Sequence, residues 1–88
     1  MCECCDSPRA SSARYWASYV VESAMEKKDE VSRLLKSSSV ENEDVRWVLE
    51  VAIDESELQI DREYALSVSA YYNSAWHLQE ALDIIENL

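Results

Sequence analysis

Apolar residues recur along most of the chain at three- and four-residue steps, the spacing of one face of an α-helix. Ala13, Ala17, Val20, Ala24, Val31 and Leu35 form the first stripe, interrupted once by a seven-residue step that spans the charged pair Lys27–Lys28. Ser7 and Pro8 mark its start. The residue before proline avoids the α region, proline suits the first helical turn, and serine is a good N-cap. The run Ser37–Ser38–Ser39 reads as a loop. A first helix is therefore expected over about 8–37, after a flexible, cysteine-containing N-terminus at 1–7.

Beyond the serines, Ser38 followed by Glu41 fits a capping box, and the acids Glu41, Glu43 and Asp44 suit the positive end of a helix dipole. Val45, Val48, Leu49, Ala52 and Ile53 then form a second buried stripe, with Trp47, Val51 and Leu58 on another side. The last segment is the most regular. Tyr64, Val68, Tyr71, Ala75, Leu78, Leu82 and Ile85 alternate four- and three-residue steps, a heptad seam suited to packing against another helix within the chain or across a dimer. Asp61 is a candidate cap between the two, giving helices at about 41–60 and 62–87.

The chain has 88 residues, no glycine and a single proline, Pro8. Sheets need glycine or Asn-Gly and Asp-Gly turns, which are missing here, so the fold class expected is all-α. The architecture expected is a small three-helix bundle forming one domain over 8–88. The alternative is a helical hairpin with one long arm, continuous through 41–88, that dimerises into a four-helix bundle.

Charge narrows the partners. Eighteen acidic residues against eight basic ones give a formal charge of −10. Phosphate contacts need clustered Lys and Arg, so direct nucleic-acid binding is not expected, nor is binding to anionic membranes. A protein partner with a basic surface, including one that normally holds nucleic acid, is the matching class. No stretch has the ~20 apolar residues of a membrane span. Met1 is followed by Cys2, Glu3, Cys4 and Cys5, not by a basic and then an apolar run, so no secretory leader and a cytoplasmic location are expected.

Candidate chemistry is sparse. Cys2 and Cys5 have C-x-x-C spacing, half of a zinc site, but Cys4 is the only other cysteine and His77 the only histidine. No metal site and no cofactor is expected. A glycine-free chain cannot form a phosphate-cradling loop, and there is no Glu-x-x-His pair, so catalytic residues are not expected and the protein reads as a non-enzyme.

The aromatics say more: three Trp and five Tyr occur with no Phe. Both types carry a polar tip and favour half-buried positions and interfaces. Tyr15 and Tyr19 share a helical face with Glu22, Glu26 and Glu30. These five are the candidate partner contacts, with carboxylates standing where phosphates lie in a basic groove and tyrosines supplying burial. The function expected is a protein-binding inhibitor or regulator that occupies a cationic surface. In charge, size and economy the chain resembles the small acidic proteins that phages use against host defence or nucleic-acid enzymes, a likeness of composition carried by no motif. The alternative is a self-assembling structural or adaptor module built on the seam, with homodimer formation through Tyr64, Val68, Tyr71 and Leu78.

Overall fold

A computed structural model describes residues 8–73 and 75–88, with side chains from Ala13 onward. The described chain is a small all-α bundle of five helices: α1 (Pro8–Glu26), α2 (Lys28–Lys36), α3 (Glu43–Ala52), α4 (Gln59–Asn73) and α5 (Trp76–Glu86). The central helix α1 packs along α4 and also touches α5, α3 and α2, while α3 and α5 close the opposite side.

The core is small and aliphatic. Ala13, Ala17, Val20, Val21 and Ala24 of α1 are buried against Leu66 and Ala70 of α4 and Leu78, Ala81, Leu82 and Ile85 of α5 within one apolar cluster. Val45, Val48, Leu49 and Ala52 of α3 complete it, joined by Val31 and Leu35 of α2. Both stripes expected from the first half of the sequence are therefore inward faces, with Ile53 half-buried at the margin.

Helix boundaries differ from the three expected, and each difference has a local cause. The helix expected over 8–37 is two, because Lys27 leaves the helical region (φ −118°, ψ 34°) and its N–H bonds the Ala24 carbonyl at 3.2 Å. That break falls in the one long step of the apolar stripe. The Ser38–Glu41 capping box does not form. Ser38 instead takes the left-handed conformation (φ 61°) that ends α2, and Asn42 caps α3 by accepting from the N–H groups of Asp44 (2.9 Å) and Val45 (3.3 Å). Helix α3 stops at Ala52, where Asp54 accepts from Ser56 N–H (3.0 Å) and Ser56 hydroxyl (2.6 Å) in a local turn. Asp61 lies in the first turn of α4 and does not cap it. The long arm of the alternative hairpin is thus interrupted here, and again at Ala75 (φ 65°), whose N–H bonds the Ala70 carbonyl at 3.1 Å. The expected cap Ser7 lies outside the described residues.

Three helix C-termini are closed by cations from elsewhere in the fold. Arg46 of α3 donates to the Leu35 carbonyl of α2 (2.8 Å), Arg62 of α4 to the Ala52 carbonyl of α3 (2.8 Å), and Lys27 to the Ile85 carbonyl of α5 (3.2 Å). These carbonyls are among the last four of each helix, which lack an i+4 amide within it, and a positive charge suits that end of the dipole. The Ile85 carbonyl also accepts the Leu88 N–H at 3.1 Å. Arg62 is itself buried, at 7 % exposure. Replacing it with Ala leaves the Ala52 carbonyl unpartnered, and urea unfolding should register a loss of about 2–4 kcal/mol. Ser38→Gly should do the reverse. It relieves a left-handed non-glycine residue at an exposed site, for a gain of about 1 kcal/mol in the same measurement.

Candidate protein-binding surfaces

With a core of Ala, Val, Leu and Ile, the tyrosines and tryptophans sit outside it. Tyr15, Tyr19, Trp47, Tyr64, Tyr71, Tyr72 and Trp76 are all exposed, and Trp16 is only partly buried against the core. Six of the eight lie on two surfaces, while Trp47 lies on α3 and Trp76 on α5.

The first is the outer side of α1. Tyr15, Tyr19, Glu22 and Glu26 follow one another at four-, three- and four-residue steps, and all four are exposed. Tyr15, Trp16 and Tyr19 form a ring cluster with centroids 5.5–6.4 Å apart. Trp16, not foreseen as a contact residue, anchors the two tyrosines to the core. Glu30 is not part of this face: it lies in α2 beyond the break at Lys27, lining a shallow hollow with Arg33, Leu34, Ser37 and Leu88.

The second surface is the outer side of α4. The expected seam is split by the turn at Ala75. Ala75, Leu78, Leu82 and Ile85 are buried core residues, whereas Tyr64, Val68 and Tyr71 face outward at 70, 38 and 51 % exposure. The inward face of α4 is Arg62, Leu66 and Ala70. Ile60 and Tyr72, at 71 and 79 % exposure, extend the outward apolar stripe, and neither was foreseen as part of a surface. Beside it runs a groove made of two hollows of about 410 and 350 Å³, which share Arg14, Tyr64 and Ser67 as lining residues.

Glu80 of α5 and Glu41 line one hollow, together with Asn42 and Val45. Among the described residues only Glu55, with Lys28, and Glu50, with Arg46 (3.3 Å), form ion pairs. The Asp54 carboxyl is held below its usual range, first by the Ser56 hydroxyl, then by the Ser56 N–H, with the Arg62 charge adding to both.

His77 is fully buried in α5. Its Nε2 shares a 2.9 Å hydrogen bond with the Ser69 hydroxyl of α4, and its Nδ1 has no partner. Burial pushes its pKa down, with the Asp44 charge opposing. The bond joins two helices and is structural in character. Cys2, Cys4 and Cys5 lie outside the described residues. Among the described residues no group of three or more His, Cys, Asp or Glu is placed to hold a metal ion. No described helix is long and apolar enough to cross a membrane.

Fold and surfaces together define a small all-α bundle with an aliphatic core and an acidic, aromatic exterior. No family model, curated protein or solved structure matches the chain.

The buried histidine generates a pH prediction. The folded state disfavours the proton that the unfolded state accepts near pH ~6.5, so His77 contributes stability above that value that is lost as pH falls toward its lowered folded pKa. Denaturant titrations of the wild type and His77→Gln across this range should show the difference in stability between them shrinking as pH falls. A constant difference would contradict the buried neutral imidazole.

Proposed function

We propose that this chain is a small acidic protein-binding module that docks on a cationic surface of a partner protein and so inhibits or regulates it. The observation that carries the reading is the partition of residue types: the apolar core cluster is aliphatic, enclosing only Arg62 and His77 as buried polar residues, while seven of the eight Tyr and Trp are exposed. Interfaces concentrate Tyr and Trp as contact residues, whereas a chain that needed them for stability alone would bury them.

Charge gives the partner its sign. Each capping cation already bonds a helix end, and among the described residues only Glu50 and Glu55 of the acids form ion pairs. A surface evolved to hold phosphates matches such an exterior, with Tyr15 and Tyr19 stacking where bases lie and Glu22 and Glu26 replacing phosphate charge. The role fits the phage class that the composition resembles, acting in the cytoplasm on a nucleic-acid-binding protein. A second reading, a self-assembling structural or adaptor module, is favoured by the exposed apolar stripe of α4.

Affinity capture from nuclease-treated cell extract, washed at low and then high salt, tests the choice. The first reading predicts a nucleic-acid-binding protein retained at low salt, released at high salt, and blocked from its nucleic acid by the purified module. Glu22→Lys with Glu26→Lys should weaken that binding at least tenfold and change stability by under ~0.5 kcal/mol, because both sites are exposed. Undiminished binding by the double variant would remove the α1 face from the proposal. Recovery of the protein alone at both salts would favour the second reading.

A further inference from the structure

We infer that the outer stripe of α4, with the groove beside it, is the interface through which a second copy of this chain binds. The inference gives the self-assembling reading its surface and is independent of the α1 docking face.

Three observations select a second copy as the occupant. First, the stripe is contiguous and apolar: Ile60, Tyr64, Val68 and Tyr71 recur at helical spacing, with Tyr72 beside them, and four of these five are more than half exposed. A helix that is apolar on both its inner and outer sides expects cover on both. Second, the charge is unlike the rest of the molecule. Among the described residues, the groove beside the stripe is lined by one cation, Arg14, and one anion, Glu63, on a protein of charge −10. A basic partner gains little from a neutral patch and much from the carboxylates elsewhere. Two copies repel one another except where net charge vanishes, and a patch carrying both signs is self-complementary, as a two-fold interface requires. Third, the area suits association of modest strength. Fully buried aromatics contribute ~150–250 Å² each, so the exposed portions of the three tyrosines supply roughly 400 Å². That is about half of the ~800 Å² per partner in a standard interface, leaving Ile60, Val68 and a rim to supply the rest.

The test is sedimentation equilibrium of the purified chain from micromolar to about millimolar concentration, at low and high salt. The expected result is a monomer–dimer equilibrium that tightens as salt rises, because screening relieves repulsion between like-charged copies. Tyr64→Glu and Arg14→Glu should each weaken the dimer at least tenfold, the first by charging the stripe and the second by making the patch acidic. Both side chains are exposed, and circular dichroism of each variant confirms that the helices remain; if one fails to fold, the other still decides. Glu22→Lys should not weaken the dimer. A monomer throughout the range at high salt, or a dimer unaffected by the folded variants, would overturn the inference and leave the α1 docking face standing. A monomer whose α4 variants lose a captured basic partner would reassign the stripe to that partner.

Discussion

An α-helix ends in carbonyl groups with no amide to receive, and a bundle must press several such ends against one another. The common solution is a glycine in the left-handed conformation just past the last turn. This chain has no glycine. Two ends are turned by the strained substitutes Ser38 and Ala75, at φ 61° and 65°. Three receive a cation from another part of the fold: Arg46 at α2, Arg62 at α3 and Lys27 at α5. Each bond fixes where one element ends relative to another, so the caps also set the packing. Arg62 does this from within the core, where an apolar residue would be expected.

The caps shape the surface as well. A chain with eight basic residues devotes three of them to backbone carbonyls and one more, Lys28, to Glu55. Among the described residues the carboxylates keep only two direct ion-pair partners, Lys28 and Arg46. The aliphatic core has a matching consequence. Alanines along α1 allow close helix approach, and large rings are displaced to the exterior, where they form the α1 cluster and the α4 stripe. The internal architecture and the binding proposal thus rest on the same allocation of residues.

Much of this was legible in the sequence. The stripes of 13–35 and 45–53 turned inward as their spacing implies, but one helix was expected through the long step at Lys27, where the chain breaks into two. The seam of α4 was misleading because it is the richer of two stripes on that helix. Its outward side carries Ile60, Tyr64, Val68 and Tyr71, while the inward side offers only Leu66 and Ala70 with Arg62, which no apolar pattern would select. His77 was hidden for the same reason, being a polar residue that reaches full burial by bonding Ser69. The connection at 53–58 lacks glycine and proline, and its signal was the Asp54–Ser56 pair. On the candidate α1 face, helical spacing alone placed Tyr15, Tyr19, Glu22 and Glu26 together. It could not separate Glu30, which depends on the Lys27 break, or place Glu80 and Glu41 on one hollow, which depends on how α5 packs.

The central claim is that particular cations hold helix ends, and it is separable from the general benefit of positive charge in an acidic protein. The direct measurement compares the unfolding free energies of Lys27→Gln and Arg46→Gln with those of Arg33→Gln and Lys36→Gln. All four variants remove one positive charge, but only the first two remove a bond to a helix C-terminus. The account predicts losses of about 1–2 kcal/mol at Lys27 and Arg46 and under ~0.5 kcal/mol at Arg33 and Lys36. Equal losses at all four positions would mean that charge alone matters, and would contradict it.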